Sequence, residues 1–295
     1  MKTPNANTHD EFELLIAGKF AHEIIEKTGT GQVTAIFKRS IYINLCDDLI
    51  CLGGNSLALG PLNIQTNLPK TMDWEATGIR LNDRVHNSAH RMTLGNLLSF
   101  SSRKIKVWVP QKNIYVIPSK VQAGLKTLLI LAQKYFPIEG LASLVLYNDK
   151  KTKILDIAKP AIDDLSDIFR LRVFDKSVNS LIGLGPGLTP SGDDFLVGML
   201  VTLNSLGEKK LLELLVKEIN SAVSRTNDIS KVHLKAASRG FGAEPLHSVI
   251  RGIVNNDTEE LRKSLKNIDN IGHCSGWDAL TGIFITLKAW LKFLK

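Results

Sequence analysis

The residues of this chain best suited to chemistry lie at 183–198, which read Gly-Leu-Gly-Pro-Gly-Leu-Thr-Pro-Ser-Gly-Asp-Asp-Phe-Leu-Val-Gly. Three glycines and two prolines within 183–190 predict a stiff turn with few side chains, and an apolar helical pattern follows the aspartates. Bare N–H groups at a helix N-terminus favour a bound anion, because the donors approach closely and the helix dipole is positive there. We therefore predict an anion site that is formed by Gly185, Gly187, Thr189, Ser191 and Gly192.

A second copy of the end of this motif lies near the C-terminus. Residues 191–198 align with Ser-Gly-Trp-Asp-Ala-Leu-Thr-Gly at 275–282, and Ser, Gly, Asp, Leu and Gly match at the same offsets. Each copy alone fits a capping box, with serine as the N-cap and aspartate at the third helical position. Gly198 and Gly282 each cost about 1 kcal/mol inside a helix, which a close helix crossing would explain. The copies predict two helices whose N-termini converge on one polar pocket, with Ser275, Gly276 and Asp278 as further anion-binding residues.

The two adjacent aspartates of the first copy need separate explanations, because a carboxylate beside an anion repels it. Asp194 shares its offset with Asp278 and is expected to cap its helix. Trp277 replaces Asp193 in the second copy, so Asp193 is the better candidate for a special role. Either carboxylate could instead hold Mg²⁺ with a phosphate, or act as a general base. Both remain candidate catalytic residues, and Mg²⁺ is the one cofactor left open.

A third polar region, at 225–247, contains an arginine directly before a Gly-Phe-Gly turn. Arginine binds carboxylate or phosphate in bidentate geometry, so Arg239 is our candidate for an anion-binding catalytic cation. His233 and His247 match no metal-ligand spacing, and we predict no metal ligands among them.

Composition limits the class of protein. The chain has 295 residues, 44% of them apolar, and a net charge of +8, which fits a globular protein that acts on small anions. Although the net charge is positive, the sequence contains no recognisable nucleic-acid-binding module, so we expect no nucleic-acid partner. The three cysteines form no C-x-x-C pair, which is typical of a reducing compartment and argues against zinc. Residues 1–10 are polar and the apolar runs are short, so we expect no membrane contact and a cytoplasmic location.

The hydrophobic pattern predicts an α+β fold, with a β-rich part at 1–118 packed on a mainly helical part at 119–295. In the first part we expect a helix at 11–27, irregular structure with one or two short strands at 70–101, and strands at 32–38, 40–46, 49–52, 59–65 and 104–109. In the second part the apolar run at 141–147 fits a strand or a buried helix, and helices are expected at 120–135, 162–181, 195–204, 209–224, 245–254, 258–265 and 277–293.

Taken together, residues 183–198 and the Gly-His-Cys-Ser-Gly-Trp-Asp-Ala-Leu-Thr-Gly stretch at 272–282 resemble the AllH-like family. This bacterial family, long catalogued as a domain of unknown function, includes a subunit of the oxamate carbamoyltransferase of anaerobic allantoin degradation, a route of purine catabolism. The resemblance implies reversible carbamoyl transfer between oxalurate and phosphate, giving oxamate and carbamoyl phosphate. It also implies small anionic substrates (oxalurate, carbamoyl phosphate or phosphate) and a hetero-oligomer with other carbamoyltransferase subunits, without which the chain would be inactive.

Two other functions remain open from the residues. A small-molecule phosphotransferase would also use a glycine-rich turn before an aspartate, although the chain has no Walker-type Gly-Lys-Ser/Thr. A non-catalytic subunit could bind an anion, or act as a scaffold, without turnover.

Overall fold

The structure, a computed structural model, describes residues 11–88, 90–111, 114–133, 139–146, 152–170 and 174–295. These residues form two compact units, one ending at Val109 and one beginning at Pro110. The first unit contains the strands and the second is helical. The predicted α+β class is therefore confirmed.

The first unit is a closed β-barrel. Its described strands are β1 (Glu11–Gly18), β2 (Gly29–Phe37), β3 (Ser40–Leu45), β4 (Asp48–Gly53), β5 (Asn63–Thr66), β6 (Arg84–Ser88), β7 (Arg91–Leu94), β8 (Leu98–Ser101) and β9 (Lys106–Trp108). Strands β1 to β8 follow the order β5-β4-β3-β2-β6-β7-β8-β1, and a further β1–β5 pairing closes the sheet. β9 pairs in parallel with the end of β1. Helix α1 (Lys19–Ile25) contributes to the same aliphatic core as the strands.

Two sequence predictions for this unit were wrong. The expected helix at 11–27 is a strand as far as Gly18, because β1 pairs with β5, β8 and β9, and apolar periodicity cannot detect such distant partners. The strand ends at Gly18, where the backbone of Gly60 lies very close: a Cβ on Gly18 would lie 1.8 Å from the Gly60 carbonyl oxygen. The region at 70–101 contains three strands, β6 to β8, rather than one or two. The strands expected at 32–38, 40–46 and 49–52 are confirmed as β2, β3 and β4.

The second unit is a bundle of helices. Its described helices are α2 (Pro118–Ala132), α3 (Ser143–Leu146), α4 (Lys153–Leu165), α5 (Asp175–Leu181), α6 (Ser191–Leu206), α7 (Lys209–Ala222), α8 (Asp228–Ser238), α9 (Glu244–Asn255), α10 (Thr258–Ile268) and α11 (Ser275–Phe293). The helix expected at 162–181 is two helices, α4 and α5. Asp164 and Ser177, one on each, are joined by a 2.9 Å hydrogen bond. Helix α8 was not predicted, and the run at 141–147 contains the short helix α3.

Helices α6 and α11 form the centre of this bundle. Every residue of α6 from Ser191 to Leu203 is buried, and so is most of α11 from Gly276 to Ala289. Burial on all sides explains why both helices are apolar around their whole circumference. Within the described residues, no helix has both the length and the apolar character needed to cross a membrane.

Candidate functional site

The two motif copies begin the two central helices, and these helices cross at the motif glycines. A Cβ on Gly198 would lie 1.9 Å from the carbonyl oxygen of Ala279, and a Cβ on Gly282 would lie 2.0 Å from that of Phe195. The contacts are equivalent, because each partner is separated from its counterpart in the other copy by 84 positions (195 and 279, 198 and 282). The predicted close crossing is confirmed, and it requires glycine since any side chain would meet backbone.

The start of each helix is equally crowded. A Cβ on Gly192 would lie 2.0 Å from the Leu181 carbonyl oxygen, at the end of α5, and a Cβ on Gly276 would lie 2.3 Å from that of Ile268, at the end of α10. Moreover, Gly192 N–H donates to the Leu184 carbonyl (2.9 Å) and Gly276 N–H to the Ile271 carbonyl (3.1 Å). The N–H groups of Gly192 and Gly276, which belong to the predicted anion site, are therefore already hydrogen-bonded within the chain.

The expected capping boxes are not present. Pro190 and Cys274 occupy the N-cap positions, neither helix has a side-chain cap, and Ser191 and Ser275 are the first helical residues. The serines and aspartates instead interact across the two copies. The Ser275 hydroxyl forms a hydrogen bond with the Asp194 carboxyl, and the Ser191 hydroxyl forms one with the Asp278 carboxyl.

The predicted convergence of the two N-termini is confirmed by a hydrogen bond between them. Thr189 Oγ1 and Ser275 Oγ are 2.8 Å apart, and both side chains are partly exposed. We call the side chains where the two helices begin (Thr189, Ser191, Asp194, Ser275 and Asp278) the corner. The corner is closely packed rather than hollow, because Ser191, Asp194 and Asp278 expose only 8%, 9% and 1% of their surface. A ligand would therefore meet the Thr189–Ser275 hydroxyl pair before it met a carboxyl.

Asp193 holds the glycine-rich turn in place. Its carboxylate accepts hydrogen bonds from the Gly183 N–H (2.9 Å), the Ser230 hydroxyl (2.6 Å) and the Thr226 hydroxyl. Thr226 and Ser230 lie on the segment leading into α8 and on α8 itself. These bonds, with 1% exposure, give Asp193 a structural task, and its catalytic role stays a prediction.

Asp194 and Asp278 are the electrostatically unusual groups of this corner. Burial raises the pKa of Asp194 well above its usual range, and the neighbouring Asp278 raises it further, while the Ser275 and Thr189 hydroxyls oppose the rise. Its Oδ2 is buried and makes no hydrogen bond within the described residues. Burial also raises the pKa of Asp278, to about 7, against a 2.5 Å hydrogen bond from the Leu141 N–H. The raised pKa favours the protonated form of Asp194, which can donate its proton.

The glycine-rich turn itself bends back onto α6. Gly183, Gly185 and Gly187 all have positive φ, and a Cβ on Gly185 would lie 2.8 Å from the Ser191 nitrogen. Gly187 lies at the exposed tip, with open space around its Cα. The turn is thus accessible at its tip and fixed at its base by Asp193.

Arg239, the predicted anion-binding arginine, lies far from this corner. It is the exposed C-cap of α8, and the next residue, Gly240, contacts the side chain of Asn204. Asn204 lies thirteen positions along α6 from Ser191, or about 20 Å at 1.5 Å per residue. The structure therefore does not bring Arg239 to the residues it was expected to assist.

Three further side chains, which the sequence analysis did not group, lie together beside the start of α11. Glu139 Oε2 lies 3.6 Å from His273 Nδ1, and that nitrogen lies 3.2 Å from Cys274 Sγ. The adjoining Gly140 contacts Asp278, since a Cβ there would lie 2.5 Å from Asp278 Oδ1. The adjacency of His273 and Cys274 was visible in the sequence, but no spacing pattern connected them with Glu139.

Comparison with known proteins agrees with these two units. No solved structure matches the chain. Residues 12–107 match the AllH family N-terminal domain, and residues 181–287 match the family described as oxamate carbamoyltransferase subunit AllH. The second match contains both motif copies and the helix crossing, and the two matches together cover most of the chain. The chain therefore belongs to the AllH family.

Proposed function

We propose that this chain is a subunit of an enzyme that transfers a carbamoyl group between oxalurate and phosphate, giving oxamate and carbamoyl phosphate, and that Asp194 supplies a proton for the transfer. Membership of the AllH family supports the subunit role. The observation that carries the assignment of Asp194 is its buried Oδ2, which makes no hydrogen bond in the described part of the chain.

The proposed route for the proton follows the hydroxyl groups. Asp194 is buried, whereas Thr189 and Ser275 are partly exposed and are hydrogen-bonded to each other. A hydroxyl can accept one proton while it donates another. Ser275 can therefore contact the substrate and pass on a proton from Asp194 without exposing the carboxyl. The convergent helix N-termini also favour the negative charge that both substrates carry.

The proton balance of the reaction suits one such group. When hydrogenphosphate attacks the carbamoyl carbon of oxalurate, a C–O bond forms and the C–N bond to the oxamate nitrogen breaks. The phosphate loses a proton and the departing nitrogen gains one, so the carboxyl that donates a proton recovers one in the same turnover. A carboxyl with a raised pKa suits this exchange, because general acids work best when their pKa lies near the operating pH.

The proposal includes partner subunits, because the family is named for a subunit and not for a complete enzyme. The groups around Asp194 and Asp278 are hydroxyls and carboxyls. Among the described residues, no arginine or lysine shifts the pKa of either carboxyl. We propose that cationic groups for the anionic substrates come from those partners.

The test is turnover by the complex purified through a tag on this chain, measured as carbamoyl phosphate formed from oxalurate and phosphate. We expect Asp194→Asn to lower kcat by about 100-fold or more, with a small change in KM, because a general acid contributes roughly 10²–10⁴. Ser275→Ala should lower kcat in the same direction. Asp228→Asn is the matched control, since the Asp228 side chain is 92% exposed and should leave kcat unchanged. Wild-type activity in Asp194→Asn would contradict the role of Asp194.

The same preparation separates the alternatives. Nucleotide binding and phosphoryl transfer by the purified chain would favour a phosphotransferase. Binding of phosphate or oxalurate without turnover in any assembly would favour a non-catalytic subunit. Either result would replace the proposed reaction.

A further inference from the structure

Three side chains beside the start of α11 are of the types that bind transition metals. Glu139, His273 and Cys274 each offer one ligand atom, and these atoms lie within 4.8 Å of one another. In a tetrahedral zinc site with bonds of about 2.0–2.3 Å, ligand atoms are about 3.3–3.6 Å apart. The separations of 3.6 Å (His273 Nδ1 to Glu139 Oε2) and 3.2 Å (His273 Nδ1 to Cys274 Sγ) are close to these values.

A second, independent observation is an unpartnered carboxyl oxygen, Asp194 Oδ2, on a carboxyl close enough to Cys274 to raise the pKa of its thiol. Asp194 is about nine-tenths buried, and its Oδ2 has no hydrogen-bond partner in the described residues. The charged groups that act on it are two further carboxyls, Asp278 and Asp193. Cys274 lies near the same carboxyls: burial raises the pKa of its thiol, and Asp278, Glu139 and Asp194 add to the rise, which brings the pKa to about 11. A metal ion beside this oxygen would give it an electrostatic partner.

We propose that Glu139, His273 and Cys274 bind one divalent transition-metal ion of the zinc class, with a fourth coordination position left for water or a substrate oxygen. A thiolate and an imidazole select such metals over Mg²⁺ and Ca²⁺, which prefer oxygen ligands. Three protein ligands with an open position are typical of catalytic rather than structural zinc sites. The site differs from the sequence expectation because one ligand, Glu139, is more than 130 residues distant from the other two.

This proposal goes beyond the carbamoyl transfer proposed above, and it does not depend on that reaction. Metal binding is a property of the purified chain, whereas carbamoyl transfer is a property of the complex. The chain can therefore fail either test and pass the other.

The experiment is a titration of the purified full-length chain with Co²⁺ after dialysis against EDTA, followed in the near-ultraviolet region where thiolate-to-cobalt absorption occurs. We expect one Co²⁺ per chain and displacement by one equivalent of Zn²⁺. Cys274→Ser should abolish the absorption. His273→Ala and Glu139→Gln should each raise the Kd by about 10-fold or more, since changes at metal sites commonly cost 10- to 100-fold in affinity.

Two controls keep the result interpretable. Cys46→Ser removes another partly exposed thiol, which lies in the barrel, and should leave the titration unchanged. His273 is an exposed side chain (82%), so His273→Ala should fold normally, as circular dichroism can verify. The proposal is overturned if the wild-type chain gives no stoichiometric absorption, if His273→Ala binds as tightly as wild type, or if Cys46→Ser also loses the absorption.

Discussion

Asp193→Asn and Asp194→Asn replace neighbouring carboxyls by amides of the same shape, and the structure predicts opposite effects on the free energy of unfolding. The two side chains leave α6 in different directions. Asp193 accepts three hydrogen bonds that join the glycine-rich turn and α8 to α6. Asp194 is also buried, but its Oδ2 accepts none from the described residues.

The cost of Asp193→Asn follows from these bonds. A hydrogen bond to a charged group contributes roughly 1.5–3 kcal/mol to stability. The amide keeps one acceptor oxygen, so it can still serve the Gly183 N–H, but it cannot accept from both the Thr226 and Ser230 hydroxyls. Rotation of the hydroxyls recovers part of the loss. We therefore expect unfolding to become easier by about 2–4 kcal/mol.

Asp194→Asn should stabilise the chain at neutral pH. The folded pKa of Asp194 is raised, so between its usual value of 3.8 and the folded value the unfolded chain is ionised while the folded chain must hold a proton. Stability that depends on this group therefore falls as pH rises above about 4. Asparagine has no carboxyl to ionise, so the variant should be more stable than wild type at pH 7.5. The gain should shrink toward pH 4.

The assay is urea denaturation of both variants and wild type at pH 5 and pH 7.5, in EDTA so that metal binding does not contribute. The midpoint should fall for Asp193→Asn at both pH values and rise for Asp194→Asn, with a larger rise at pH 7.5 than at pH 5. A wild-type midpoint for Asp193→Asn would refute its role in fixing the turn. A loss of more than about 2 kcal/mol for Asp194→Asn at pH 7.5 would show that its carboxylate is ionised and paired.

Two further predictions concern the helical bundle. Gly198→Ala should destabilise the chain by about 3 kcal/mol or more, because its Cβ would overlap the Ala279 carbonyl oxygen; thermal denaturation should show a much smaller loss for Gly207→Ala, which has open space and only an unfavourable positive φ to accommodate. Burial lowers the pKa of His247 to about 4, so on acidification the unfolded chain takes up a proton before the folded chain does. The free energy of unfolding should therefore fall between about pH 6.5 and pH 4, by up to about 1.4 kcal/mol per pH unit. His247→Asn should have a shallower pH dependence, and an unchanged slope would contradict this.

Much of the site was predictable because it depends on local backbone geometry. Repeated Ser-Gly-x-Asp motifs with glycine seven residues after the serine indicated two helices that cross at Gly198 and Gly282, and both features are present. Glycine inside a helix is costly, so it points to a contact that excludes side chains. The α+β class followed for a similar reason, since strand and helix periods persist over whole segments.

The roles of individual polar side chains were not predictable, because they depend on distant partners. The serine–aspartate spacing fits a capping box, but each aspartate faces the serine of the other copy. Arg239 precedes a suitable turn, yet α8 places it at the opposite end of α6 from Ser191. The early helix prediction failed similarly, because the β1 pairings are formed by strands at 63–66 and beyond.

The comparison of the two motif copies separates structural from chemical positions. Asp193 binds the Gly183 N–H at the start of its own turn, and its counterpart Trp277 donates Nε1–H to Asp269 at the start of the other turn, at 3.0 Å. The two side chains differ in chemistry, but each anchors the turn that precedes its helix. Asp194 and Asp278 are identical in type and position, but the Leu141 N–H binds only Asp278. The two copies therefore differ in one respect: the Asp278 carboxyl accepts a backbone hydrogen bond, whereas Asp194 Oδ2 has no partner among the described residues. We predict that a proton or a cation satisfies this oxygen.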